Sequence, residues 1–406
     1  GRITLDFDGT SPQVEGGVNC TWCGLIGGIM AAVFPMLCFD LPWSTGGILR
    51  VLDIQSKPGT LNNAEYPAAC SMGTIQGCWE TTDIVGQAIA KMLASCDDLR
   101  DEVQACWSPS SNCIIMNGLD REGKPFTGLW LGGMAGGAGA RSWNDGIDTA
   151  GFMPQTRIAA PNVETCERLY PILEVYRKEC PDTAGHGKHR GGIGMEHMII
   201  PYKSPEDLTV IRYSHAVRTP EGRGISGGYP APVNVQLIYR NTDIRSLMAS
   251  GKIPRSPEDI SHESFEDVIP KSITHMGPDD VRVFYVSGGG GYGDPLDRPI
   301  HLLEKDLREG LCSPQTTNTV YGAVLDDTGL HIDEKATLGR RRELKQLRIE
   351  SGAPAAKRFS LPFPDGVSKN SRLRKTGRIG EHLAIERKSG RLLIGCVQCG
   401  HVYGPA

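Results

Sequence analysis

HMIIPYK (197–203), DLTVIRYSHAV (207–217) and VNVQLIYR (233–240) follow one another along the chain. β-Branched and aromatic side chains dominate each run, and polar, Pro- or Gly-containing breaks separate them. They read as successive strands, the kind of series that builds an antiparallel layer. Downstream, VRVFYVS (281–287) is a further strand that feeds the glycine run Gly288-Gly289-Gly290-Gly291-Tyr292-Gly293. Upstream, CIIMNGLD (113–120) and REGKPFTGLWLG (121–132) read as the two arms of a hairpin, and the opening GRITLDFDGTSPQ alternates through Ile3, Leu5 and Phe7 before a turn at Asp8-Gly9-Thr10.

Helical patterns lie between these strands. CGLIGGIMAAVFPMLCF (23–39) is a buried helix by its small and apolar content, ended near Pro35. Thr82 to Ala94 places Ile84, Ala88 and Met92 on one helical face. PNVETCERLYPILEVYRKE (161–179) has a helical pattern that Pro171 should break or kink. Asp297-Arg298-Pro299 opens an amphipathic helix to Gly310, Ser313-Pro314 caps another to Gly322, AVLDDTGLHID (323–333) is a compact hairpin, and Glu334 to Glu350 is a charged helix. The fold class that results is α+β, with mixed or antiparallel sheets and packed helices, plus a partial zinc ribbon at the C-terminal end. Residues 1–350 form the main region, divisible near residue 160 into subdomains 1–160 and 161–350. Residues 351–374 read as a linker, and 375–406 as the ribbon.

The chain has 406 residues and a net charge of −4, long enough for one or two cores. Phosphate binding needs clustered Lys and Arg, so this balance argues against nucleic acid and anionic membranes as partners. The one basic cluster, Arg340-Arg341-Arg342 with Lys345 and Arg348, reads as a solvated helix face. No segment approaches the ~20 apolar residues of a membrane span. Thirteen cysteines lack the dense spacing of a disulfide framework, and most lie in apolar surroundings, which fits a reducing cytoplasm. Cys20-Thr21-Trp22-Cys23 has the spacing of a redox or zinc pair, but the apolar, glycine-rich run after it favours buried structural cysteines. Cys396-Val397-Gln398-Cys399-Gly400 is different. Its two thiolates turn toward one point and the glycine frees the backbone for a tight turn, so it reads as half of a Zn²⁺ knuckle, with Cys396 and Cys399 as ligands. With half of that site missing and a first residue that is not Met, the chain reads as an internal piece of a longer polypeptide.

The glycine run at 288–293 invites a nucleotide-binding reading. Asp294-Pro295 follows it where a phosphate loop needs a cation and donors, so the loop is not expected to bind nucleotide. His186, His189 and His197 lie close to Asp182 and Glu196, yet their placement in a glycine loop and a strand favours backbone-bonded or solvated histidines over metal ligands. Arg190-Gly191-Gly192 is more suggestive, because a guanidinium between glycines can fork onto a carboxylate of a substrate or of a neighbouring loop such as that of Asp145.

DFDGTSPQVEGGVN (6–19), KPGTLNNAEYPAA (57–69), GARSWNDGIDTAG (139–151), DTAGHGKHRGGIG (182–194) and GGGGYGDPLDR (288–298), followed by YGAVL (321–325), occur in this order. Together they resemble the hydantoinase B/oxoprolinase family, which includes the α-type subunits of acetone and acetophenone carboxylases. The resemblance corresponds to the C-terminal part of such a subunit. It implies an ATP-dependent enzyme of two large subunits, in which a hydantoinase A-like partner binds ATP and activates a carbonyl or bicarbonate by phosphorylation. It also implies a divalent metal, Mn²⁺ or Zn²⁺, held by a His/Asp set upstream of the residues present. Ser44-Thr45-Gly46 and Asp182-Thr183-Ala184-Gly185 depart from the family's pattern and leave the substrate unassigned. The segment 381–403 is similar to the opening of the small zinc-binding γ subunit of acetone carboxylase, which makes such a small subunit a further candidate partner. The reading favoured by these features is a ketone carboxylase that joins an enolate to bicarbonate-derived CO2. The alternatives are an ATP-dependent cyclic amidase of the hydantoinase or 5-oxoprolinase type and a noncatalytic scaffold subunit. The loops around Asn19, Asp145 and Arg190 are expected to converge on the catalytic cavity, because each is a polar residue beside glycines at the end of a strand or hairpin.

Overall fold

The computed structural model describes residues 2–70, 73–153, 155–156 and 160–352, together with four C-terminal strands. The first part of the chain holds β1 (Ile3–Asp6), α1 (Trp22–Leu37), α2 (Thr45–Leu49), β2 (Leu52–Gln55), α3 (Gly73–Ala94), β3 (Asn112–Leu119), β4 (Pro125–Trp130) and the short β5 (Gly151–Phe152) and β6 (Gln155–Thr156). The middle holds α4 (Val163–Leu169), β7 (Ile172–Glu179), β8 (Met195–Pro201), β9 (Leu208–Ser214), β10 (Val235–Arg240), α5 (Ile244–Ala249), β11 (Ser264–Asp267), β12 (Ile273–Met276) and β13 (Val281–Tyr285). Then come α6 (Ile300–Glu309), α7 (Pro314–Thr319) and α8 (Glu334–Ser351), and finally β14 (Gly377–Ile379), β15 (Leu383–Lys388), β16 (Arg391–Cys396) and β17 (Val402–Pro405).

Two antiparallel sheets carry the centre, a five-stranded one in the order β11-β10-β13-β8-β7 and a four-stranded one in the order β12-β9-β3-β4. The expected hairpin is there, with Ile114 opposite Trp130. Ile114, Met116 and Trp130 of one sheet pack with Ile172, Ile199 and Phe284 of the other, so the sheets share one core. The opposite face of the five-stranded sheet is covered by α5, through Met198, Val281, Val283 and Ile244. The mixed element of the fold is the parallel pair β1-β2.

Helices α1 and α3 pack through small residues. A side chain at Gly28 would fall on the Cys78 carbonyl and on Thr81, and the Thr82 hydroxyl donates to the Gly28 carbonyl at 3.1 Å. This close approach decides which stripe of α3 faces inward. Val85, Ile89 and Leu93 join the core, whereas Ile84 and Met92, of the apolar face noted in the sequence, are half exposed. The helix also starts at Gly73 rather than Thr82, and α1 runs two residues past Pro35 to Leu37.

One further expectation holds and another changes in part. Pro171 breaks the helical pattern of residues 161–179, as expected. Asn162 caps α4 by accepting from the Thr165 N–H, the helix stops at Leu169, and Tyr170, extended as the residue before a proline must be, turns the chain into strand β7. The basic run of α8 is only in part the expected solvated face: Arg342 is exposed, but most of the others are tied to neighbouring elements. Arg341 is buried and donates to the Tyr321 and Arg298 carbonyls, Arg340 donates to the Ala323 carbonyl, Lys345 pairs with Asp297, and Arg348 forks onto Asp294. The helix is strapped to the exit of the glycine run.

Strands β15 and β16 pair antiparallel within the C-terminal sheet. Cys399 and the side chain of Cys396 lie outside the described residues, as does most of the linker.

Candidate functional site

The glycine clusters noted in the sequence meet in one place. The Gly288–Gly293 run threads between loop 136–146, loop 183–194 and loop 222–229, and its backbone bonds to all three. Gly289 N–H donates to the Gly192 carbonyl at 2.9 Å, Gly290 N–H to Cys106 at 2.8 Å, and Gly291 N–H to Tyr229 at 3.0 Å, while Gly185 and Ala140 donate back to Gly289 and Gly290. A side chain at Gly289 would fall on the Ala138 carbonyl, and one at Gly290 on the Arg223 carbonyl. Backbone-to-backbone packing therefore accounts for the glycines.

Two buried polar clusters hang on this knot. The first contains the expected residues Asp145 and Arg190. The Arg190 guanidinium forks onto Asp148, with Nη1 at 2.7 Å and Nη2 at 3.2 Å from its two oxygens, and its Nε reaches Asp306 at 3.1 Å. Asp145 is held instead by the fork of Arg298, both bonds being 2.8 Å, and accepts the backbone N–H of Arg190 at 2.9 Å. Arg298 also reaches Asp306, at 2.6 Å from Nη2. The carboxylate on which the Arg190 guanidinium forks is thus Asp148. Three carboxylates surround two guanidiniums, an arrangement that satisfies nearly every donor. Burial works against the charge on Asp145, but Arg298 and behind it Arg190 hold its carboxyl below the usual range. Burial likewise opposes the charge on Arg190, and Asp148 and Asp306 more than restore it.

His186 and His189 border this network as neutral rings. Burial draws His186 down to about 4, and its Nδ1 meets the Tyr321 hydroxyl at 3.1 Å. Burial also lowers His189, whose Nδ1 lies 3.8 Å from Asp145 and makes no hydrogen bond. His197 lies elsewhere, fully buried between the sheets with Nε2 3.0 Å from Glu174. Asn19 is also buried, but it pins its own loop. Its amide donates to the Val14, Gly16 and Ala69 carbonyls and accepts the Val14 N–H, and none of its hydrogen bonds goes to Asp145 or Arg190.

The second cluster is one that the sequence reading did not find. Glu80 and Asp83 of α3 meet Glu221 and Arg223 of the 221–229 loop, with Arg223 Nη2 at 3.1 Å from Glu80. Among the described residues, Asp83 Oδ2 and Glu221 Oε2 have no hydrogen-bond partner, nor has the neighbouring Trp107 Nε1. Burial, reinforced by Glu80, raises the Glu221 carboxyl to about 8, and burial with Glu221 raises Asp83 well above the usual carboxylate range. Glu221 therefore holds its proton at neutral pH and can donate as well as accept. A narrow cavity beside it is lined by Asp83, Gln104, Cys106 and Trp107.

Sequence signals for these residues existed in part. Asp306 occupies the buried stripe of α6 between Leu303 and Leu307, an anomalous place for a carboxylate that marks a partnered charge. Asp83 shares a face with Gly86 and Ala90. Glu221 sits in an irregular loop where no periodicity applies.

The comparisons agree with this architecture. The profile of the hydantoinase B/oxoprolinase family matches residues 1–295, and the chain belongs to that family. The chain is 29% identical over 367 residues to the acetophenone carboxylase delta subunit of Aromatoleum aromaticum, covering 87% of this chain and 52% of that protein. It is 27% identical over 335 residues to the caprolactamase subunit beta of Pseudomonas jessenii, covering 81% and 53%. The acetone carboxylase alpha subunit of Xanthobacter autotrophicus is 27% identical over 238 residues, 55% of this chain and 30% of that one. The chain thus spans about half the length or less of these curated relatives. Among solved structures, nucleotide-free acetone carboxylase superposes with a TM-score of 0.74 at 21% identity, covering 87% of this chain and 48% of that chain. The ATP-dependent caprolactamase of Pseudomonas jessenii gives 0.66 at 23%, covering 82% and 53%. These two share the fold.

Among the described residues no group of three or more His, Cys, Asp or Glu side chains is placed to hold a metal ion. The divalent metal that the family resemblance implies was expected on residues upstream of those present, and the described residues supply no ligand set for it. Nor is any helix of the described residues long and apolar enough to cross a membrane.

Proposed function

We propose that this chain is part of a subunit of an ATP-dependent ketone carboxylase of the acetone/acetophenone type. The observation that carries this reading is the 29% identity to an acetophenone carboxylase subunit across 87% of the chain. ATP would sit on a hydantoinase A-like partner, which would phosphorylate bicarbonate to carboxyphosphate and the ketone, as its α-proton passes to a base, to an enol phosphate. Carboxyphosphate would release CO2 and phosphate, and the enolate freed when the phosphoryl group passes to water would attack that CO2. In this chain the glycine knot fixes the loops that carry Asp145 and Arg190. Both side chains are engaged by protein partners, so we assign them, with Asn19, as positioning residues. The buried Asp83–Glu221 pair, with Glu80 beside it, is the better candidate for moving a proton at the substrate. Cys396 and Cys399 would supply two ligands of a Zn²⁺ knuckle completed by residues elsewhere, with a small zinc-binding subunit as a second partner.

A second reading, an ATP-dependent cyclic amidase, has its own support in the 27% identity to a caprolactamase subunit over 81% of the chain. One assay separates the two. The complex purified with its partner is tested for ATP consumption with acetone, acetophenone, hydantoin, 5-oxoproline and caprolactam, each with and without bicarbonate. Ketone-dependent turnover that requires bicarbonate supports the carboxylase. Turnover with a cyclic amide and no bicarbonate replaces it with the amidase, and no turnover with any substrate leaves a scaffold role and overturns both.

A further inference from the structure

Helix α6, the turn before Asp333 and helix α8 border an open cavity of about 540 Å³. A void that holds one water needs only roughly 10–15 Å³, and this one lies in the range of small-molecule sites. Its walls combine the apolar side chains of Ile300, Ile332 and Leu338 with the guanidiniums of Arg341 and Arg342.

The charges around it do not balance. Arg341 is 6% exposed, and its Nε and Nη1 donate to the Tyr321 and Arg298 carbonyls at 2.9 and 2.7 Å, but its Nη2 has no partner. Among the described residues neither Arg341 nor Arg342 forms an ion pair with a carboxylate. The other charged groups on the wall are mostly committed. Arg298 is held by Asp145 and Asp306, Asp297 pairs with Lys345, and Glu304 accepts the Ile332 N–H. Glu334 lies in the first turn of α8, where a carboxylate is stabilised by the helix N-terminus. Arg341 is thus a buried cation on which Asp297 and Asp294 act without forming an ion pair, although a buried cation is ordinarily paired, and the exposed Arg342 lines the same cavity beside it.

We propose that this cavity binds a small organic carboxylate, with its carboxylate group on Arg341 and Arg342 and its apolar body against Ile300, Ile332 and Leu338. A guanidinium fork suits a planar carboxylate, and the apolar walls require more than a bare inorganic anion. The proposal does not rest on the carboxylase reading.

Ligand-observed NMR on the full chain tests it, with benzoate as the probe, benzamide as its uncharged counterpart and inorganic phosphate as an anion without an apolar body. Benzoate should bind saturably, and benzamide and phosphate at least about tenfold more weakly, as expected when a charge-assisted pair or an apolar contact is lost. Arg341→Met should weaken benzoate binding by about tenfold or more. Should that variant fail to fold, Leu338→Glu, at a position 42% exposed, places a repelling charge at the cavity and should have the same effect. Equal binding of benzoate and benzamide, binding of phosphate alone, or full benzoate affinity in Leu338→Glu would each overturn the proposal.

Discussion

At Arg190 one side chain joins its own loop to the Asp148 loop and to helix α6. Its Nε bond to Asp306 is buried and its fork onto Asp148 is partly buried, and replacing it by lysine keeps the charge while removing the planar pair of donors. Arg190→Lys is expected to lower unfolding free energy by about 1–3 kcal/mol, because Asp148 is left partly unsatisfied. Urea denaturation measures this, and an unchanged midpoint would mean that the network contributes nothing to stability. Asp306→Asn is expected to cost more, about 3–5 kcal/mol, since it removes the charge shared by Arg190 and Arg298 and leaves buried cations under-compensated. Rescue of the Arg190→Lys loss by a second change at Asp148, read as a double-mutant cycle, would assign the coupling to that pair.

The elements divide into those held by local pattern and those held by long-range contact. The glycine knot belongs to the second kind. Gly289→Ala drives a methyl group into the Ala138 carbonyl, whereas a methyl group at Gly16 meets nothing within 4 Å. The first change should destabilise by about 1–3 kcal/mol or more and the second by under about 1 kcal/mol. Similar thermal midpoints for the two would remove close packing as the reason for the glycines. At α8, Arg348→Ala removes a pair whose partners are 44% and 33% exposed, so about 0–1 kcal/mol is expected, shrinking further in high salt. The strands were legible in sequence because alternation and β-branching are local properties, and 197–203, 207–217 and 233–240 fall on β8, β9 and β10. The inward face of α3 was not, since two apolar stripes competed and the approach of α1 chose between them. The charge network was legible only at its ends. Asp145 and Arg190 stood out beside glycines, but their cross-partners Arg298 and Asp306 lie 153 and 116 residues away in sequence, where no spacing rule reaches.

Over the whole molecule the two polar clusters shape stability against pH in opposite senses. Asp145 has a depressed folded pKa. Its contribution is present above the unfolded value near 3.8 and is lost as pH falls through the folded value, so the first cluster governs the acid limb. Glu221 has a folded value raised to about 8 from 4.5. The folded state binds more protons than the unfolded one between those values, so its contribution is fully present below 4.5 and is lost as pH rises through 8. Asp83, raised by the same burial, acts in the same direction. Stability should therefore decline between about pH 6 and pH 8.5 by on the order of 1–2 kcal/mol. Glu221→Gln replaces the protonated acid with a neutral group of similar shape and removes the titration. Its denaturant midpoints at pH 6 and pH 8.5 should lie closer together than those of the unchanged protein. If the decline persists undiminished in Glu221→Gln, the shared proton does not sit on this cluster, and its assignment as the proton-moving group of the proposed reaction fails with it.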